Sequence, residues 1–128
     1  MIRVLIVAGH EMYRQVMTLQ LETQLDIEVI GAAGSLSEAR TMLEGVDVAI
    51  LAHVLPDGVG LELIKELRKE SPGVKVLVMN TLEGLATSQE ALEAGADAVL
   101  GNLATTDRVL ATIRRLKGAQ STAIHPST

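Results

Sequence analysis

The sequence predicts an α/β domain built on a doubly wound, five-stranded parallel sheet, and three observations lead there. Short apolar runs rich in Val and Ile alternate with segments of helical period along most of the chain. These runs are nearly continuous rather than strictly alternating, the pattern of strands buried on both faces. The connections are short, and strict β-α alternation with short connections implies right-handed crossovers and helices on both faces of the sheet.

The first strand is read from Ile2 to Ala8 (IRVLIVA) and is closed by Gly9. From Glu11 to about Thr23, Met12, Val16 and Leu19 recur at helical spacing among the polar Glu11, Arg14 and Gln15, which marks the first helix. The pattern repeats as a strand from Ile27 to Ala32, a helix from Ser37 to Glu44, a strand from Val46 to Ala52 and a helix from Val59 to Lys69. Ser71, Pro72 and Gly73 stop that helix. A fourth strand runs from Val74 to Met79 and a fourth helix from Ala86 to Ala94, ended by Gly95. A short fifth strand, Ala98 to Leu100, precedes a fifth helix from Thr106 to Lys117. Five strands and five helices in this order give the flavodoxin-like (βα)5 topology, with strand order 2-1-3-4-5. In such a sheet a site forms beyond the carboxyl ends of the strands at the topological switch point, here near Ala8, Ala52 and Asn80.

At 128 residues the chain fits a single domain, expected over residues 1–118. The rest, residues 119–128 with Gly118 before them, is rich in Ser, Thr and Pro and reads as a tail or linker. The content of 48% hydrophobic and 21% charged residues is that of a globular protein rather than a disordered one. Phe and Trp are absent and Tyr13 is the only aromatic, so the core must be aliphatic. A formal charge of -5 gives no general attraction to phosphate backbones or anionic lipid, so no direct nucleic-acid or membrane binding is expected of this segment. Without Cys there are no disulfides or thiolate metal sites, and the opening apolar run is too short to span a membrane, so the cytoplasm is the expected location.

Three stretches carry a family likeness: IRVLIVAGHEMYRQ at the start, LPDGVGLELIKELRKESPGVKVLVM in the middle and EALEAGADAVL before the last helix. Residues 1 to about 118 resemble the receiver domain of bacterial response regulators, particularly the subfamily with a helix-turn-helix output domain. The resemblance implies a phosphorylation site in which two acids after the first strand and an Asp ending the third hold Mg²⁺, the last also serving as nucleophile. Here the acidic pair is replaced by Ala8 and Gly9, and the acceptor position, four before Pro56, is Ala52. The family's Thr or Ser after the fourth strand and Lys after the fifth are matched by Asn80 and Asn102, and its mid-strand switch aromatic by Val99. The losses are mutually consistent. Clustered carboxylates repel by up to about 4 kcal/mol per pair at an effective dielectric near 20, and a Lys left without its acids would be an unpaired, partly buried cation. Neither a catalytic residue nor a metal or other cofactor is expected.

His10 and His53 offer imidazoles to a transition metal but lack a third ligand, so two ordinary loop histidines are preferred. His53 as phosphoryl acceptor would lack Mg²⁺ to offset the charge on the transferring oxygens. Asp57 is read as a polar turn residue. Asn80 and Asn102 could present amides to a small molecule in a pocket made roomy by Ala8, Gly9 and Ala52, which makes a small-molecule sensor the alternative function. Glu83, Glu90 and Glu93 give the fourth helix region an acidic cast, while Arg108, Arg114, Arg115 and Lys117 make the fifth basic. That face is expected to meet a partner, either a second copy in a homodimer or another signalling protein. The expected function is therefore a phosphorylation-independent receiver, a binding module rather than an enzyme. The tail GAQSTAIHPST resembles the connection to a DNA-binding domain, so DNA reading is expected to lie outside this segment.

Overall fold

The computed structural model describes residues 1–80, 85–101 and 103–124. In chain order the elements are β1 (Ile2–Val7), α1 (Glu11–Glu22), β2 (Ile27–Ala33), α2 (Leu36–Ala39), β3 (Val48–Ala52), β4 (Val54–Leu55), β5 (Gly58–Val59), a 3₁₀ turn (Gly60–Glu62), α3 (Leu63–Glu70), β6 (Lys75–Asn80), α4 (Leu85–Glu93), β7 (Ala98–Gly101) and α5 (Thr106–Ile124). The main sheet has the order β2-β1-β3-β6-β7, and every neighbouring pair in it is parallel. This is the predicted 2-1-3-4-5 arrangement, once the two-residue strands β4 and β5 are set aside as a separate antiparallel hairpin.

Successive residues of a strand point to opposite faces, and this divides the aliphatic residues into two cores. On one face Leu5, Val7, Leu51, Val76 and Val78 pack with Leu36 of α2, Leu63, Ile64 and Leu67 of α3, and Ala91 of α4. On the other Val4, Ile6, Val48, Ile50 and Leu77 pack with Met17 and Leu21 of α1 and with Val109, Ile113 and Leu116 of α5. Burying each Leu, Ile or Val side chain contributes roughly 1.5–3 kcal/mol, which is why an interior almost devoid of aromatic rings suffices.

Several boundaries differ from the sequence reading. α2 covers only Leu36–Ala39 instead of reaching Glu44, and residues beyond Arg40 continue as turns. The segment from Val59, expected to be helical, opens instead with the end of the β4–β5 hairpin and a 3₁₀ turn, so α3 begins only at Leu63. α5 passes Lys117 and continues to Ile124, through part of the stretch read as tail. A Gly inside a helix costs only about 1 kcal/mol relative to Ala, and α5 runs through Gly118. α1 lies where expected, yet the triplet that marked it faces outward, with Met12, Val16 and Leu19 exposed by 65%, 43% and 67%. The buried side of α1 is the adjacent stripe of Tyr13, Met17 and Leu21.

Candidate functional site at the carboxyl ends of the strands

β1 ends against α1 in a tightly bonded corner. Ala8 is buried, and its N–H donates to the Ala33 carbonyl at 3.0 Å. Its own carbonyl accepts from Arg14 Nη1 at 2.7 Å, so the guanidinium of α1 reaches back over the end of β1. The same Nη1 lies 2.9 Å from where a Cβ on Gly34 would sit. His10 caps α1, its Nδ1 accepting from the Tyr13 N–H at 3.3 Å. Gly9 lies against the Pro56 ring, and a Cβ placed on it would be 3.0 Å from Pro56 Cδ.

β3 ends at Ala52, half-buried and opposite Met79 in the β3–β6 register. The chain then folds back on itself. The His53 N–H donates to the Met79 carbonyl at 3.2 Å, and the Gly60 N–H donates to the His53 carbonyl at 2.8 Å. This brings Gly60 directly over Ala52, where a Cβ would stand only 2.0 Å from the Ala52 carbonyl oxygen, so no other residue fits there unshifted. Gly58, with φ +152°, supplies a backbone conformation that side-chain-bearing residues avoid. Asp57, at the tip of this hairpin, does more than turn the chain. Its two carboxylate oxygens accept from the Leu36 N–H at 2.8 Å and the Ser37 N–H at 3.1 Å, the first amides of α2. Those two amides hold the Asp57 carboxyl below its ordinary pKa.

His10 and His53 are committed to different elements. His53 is buried, and its Nε2 stands 3.4 Å from Glu90 Oε1 of α4. Among the described residues no group of three or more His, Cys, Asp or Glu is arranged to hold a metal ion. Ala8, Gly9 and Ala52, which the family likeness sets at a magnesium site, carry no side-chain oxygen. The cation near the end of β1 is instead the chain's own Arg14. Asn80 closes β6, its backbone paired with Gly101 of β7, while its side chain, Glu83 and Asn102 lie outside the described residues.

The charged residues expected at the interaction face make several different contacts. Arg108 and Arg115 line a hollow of about 410 Å³ between β7 and α5, together with Val99, Asp97, Ala111 and Thr112. Arg114 points elsewhere, bonding Asp26 from Nε at 2.9 Å and Nη2 at 2.9 Å, which ties α5 to the loop between α1 and β2. Glu90 reaches His53, and Lys117 pairs with Asp47 at 3.1 Å. Glu93 stays exposed. Val99 is half-buried and packs from β7 onto the core that includes Ala91. Sequence reasoning missed the roles of Arg14, Asp57 and Gly60. The two glycines flanking Val59, next to the Pro56–Asp57 pair, were the only local signal of the hairpin.

Comparison with known proteins places this geometry. Residues 4–114 match the family model described as the response regulator receiver domain. The chain is 33% identical over 98 residues to the DNA-binding transcriptional activator DevR/DosR of Mycobacterium tuberculosis, covering 75% of this chain and 45% of that protein. It is 29% identical over 122 residues to the response regulator protein VraR of Staphylococcus aureus, covering 94% of this chain and 58% of that one. The chain thus spans about half the length of these curated relatives. Among solved structures, a CheY-like receiver domain protein from Methanospirillum hungatei superposes with a TM-score of 0.82 at 26% identity, covering 94% of this chain and 97% of that one. A LuxR-family DNA-binding response regulator from Staphylococcus aureus reaches 0.83 at 22% identity, covering 91% and 99%, which shows the shared fold. With the sheet order, the hairpin after β3 and the match over residues 4–114 in hand, the chain belongs to the response regulator receiver family.

Proposed function

We propose that this receiver works without phosphorylation, as a regulatory protein-binding module of a two-component-type transcription regulator. The observation that carries the reading is the set of side chains at the ends of β1 and β3, Ala8, Gly9 and Ala52, which offer neither a nucleophile nor oxygen ligands. Two neighbours support it. Pro56 crowds the place where a side chain at position 9 would start, and Arg14 sets a guanidinium on the Ala8 carbonyl at the end of β1. Without a phosphoryl switch the state of the domain depends on what docks to it, because only a ligand with differential affinity shifts a two-state equilibrium. Docking is assigned to α4, β7 and α5, with a second copy or another signalling protein as partner. DNA reading is assigned to a separate output domain, by analogy with the longer relatives, and the cytoplasm to the whole. The test is a Mg²⁺ titration followed through the amide resonances of Ala8, Gly9 and Ala52, with a conventional receiver as control. Unchanged resonances are expected, whereas saturable shifts at millimolar Mg²⁺ would defeat the reading.

A second reading, a small-molecule sensor, draws on one observation. His53 Nδ1, one residue past Ala52, is buried without a hydrogen-bond partner among the described residues. A buried polar atom left unsatisfied costs about 1–3 kcal/mol, which a ligand donor or acceptor could recover. A melting screen against polar metabolites tests it, with His53→Ala expected to abolish any stabilisation found.

A further inference from the structure

We propose that the hollow between β7 and α5 is a docking groove for an acidic, extended segment of another protein, which adds along the outer edge of β7 and sets its carboxylates on Arg108 and Arg115. The inference rests on the docking reading above and names the partner's chemistry.

The argument begins with the sheet. β7 is an end strand, paired only with β6, so alternate backbone N–H and C=O groups of Ala98–Gly101 point away from the sheet and are available to an added strand. Beside that edge the hollow of about 410 Å³ is floored by small groups, Val99, Ala111 and Thr112.

Charge selects the occupant. The chain carries a net charge of -5, and the basic groups of α5 fall into two sets. Arg114 and Lys117 are neutralised by Asp26 and Asp47. Arg108 and Arg115, two helical turns and about 10 Å apart along the axis, line the hollow and have no ion-pair partner among the described residues. The one carboxylate in the lining, Asp97, is already held by Arg68 at 3.1 Å and by the Val76 N–H at 2.7 Å. The groove therefore presents two guanidinium groups without an ion-pair partner among the described residues, which suit carboxylates in paired geometry. A second copy is a poorer match, because Glu90 of α4 is turned to His53. The overall negative charge disfavours a nucleic-acid backbone as the source of anions.

The probes are three synthetic ten-residue peptides alternating Val with Glu, with Lys or with Ser, titrated into ¹⁵N-labelled protein, and a concentration series of the protein alone. The Glu peptide is expected to shift and protect the amides of Ala98–Gly101. Its binding is expected to fall about tenfold or more in the R108E/R115E double variant, and also when salt is raised to about 0.5 M. The milder R108Q/R115Q variant guards against a fold effect and is expected to weaken binding in the same direction. If the Lys or Ser peptide, or self-association, shifts these amides while the Glu peptide does not, the acidic-partner inference is overturned and the docking reading stands. Glu-peptide binding that is indifferent to both arginine variants also overturns the inference. If no probe moves this face at any concentration, both fall.

Discussion

Replacing Gly60 and Gly118 by Ala asks one chemical change to act in opposite directions at two places in the same chain. At Gly60 the new Cβ would stand 2.0 Å from the Ala52 carbonyl oxygen and 3.1 Å from its carbon, both backbone atoms. Carbon and carbonyl oxygen rest about 3.3 Å apart, so β3 and the turn into α3 must separate by about 1.3 Å. That movement strains the 2.8 Å bond from the Gly60 N–H to the His53 carbonyl. Overpacking and one weakened hydrogen bond together cost about 2–4 kcal/mol. For a chain of this length about 4 °C of melting temperature is lost per kcal/mol, so the Gly60→Ala protein melts about 8–16 °C below the parent. At Gly118, inside α5, a Cβ meets nothing within 4 Å. Ala there should raise stability by about 0.5–1 kcal/mol and melting by about 2–4 °C. Thermal unfolding followed by circular dichroism reads both. A Gly60→Ala protein melting within about 2 °C of the parent refutes the close approach over Ala52. A Gly118→Ala protein no more stable than the parent refutes the helical extension and restores the tail reading.

Asp57 gives a pH prediction. Its folded pKa is lowered by the Leu36 and Ser37 amides, so its contribution is complete above the unfolded carboxylate value, about 3.9, and vanishes as pH falls through the lower folded value. The Asp57→Asn protein should therefore lose stability near neutrality and show a shallower decline between about pH 5 and 2 in urea titrations. Parallel curves for the two proteins would remove Asp57 from the account. Tyr13 gives a second test, since its hydroxyl is buried with no hydrogen-bond partner among the described residues. Tyr13→Phe should leave stability unchanged or raise it by about 1 kcal/mol, and a loss of that size would reveal a bond to the hydroxyl.

The sheet was legible because its strands are short, nearly continuous apolar runs, and a run such as Ile2 to Val7, buried on both faces apart from Arg3, is typical of a parallel sheet. Orientation within α1 was not. Met12, Val16 and Leu19 form as regular a stripe as Tyr13, Met17 and Leu21, and period alone does not say which of two neighbouring stripes meets the sheet. The family likeness points to Ala8, Gly9 and Ala52, and in the structure Ala8 and Gly9 follow β1 and Ala52 ends β3. What secures that corner was hidden, because the links from Asp57 to α2 join residues 20 or more apart in the chain, as does the link from Arg114 to Asp26 at the other end of the sheet. Such pairings leave no local pattern. The same non-local partners drew Glu90 and Arg114 away from the face on which charge alone had placed them.

Independence from phosphorylation is what we propose for this receiver. Its most direct test is the intact mass of the protein after incubation with acetyl phosphate and Mg²⁺, alongside a conventional receiver that must gain phosphoryl mass for the assay to count. An unchanged mass is expected. A phosphorylated fraction in this chain, mapped to His53 or Asp57, would contradict it.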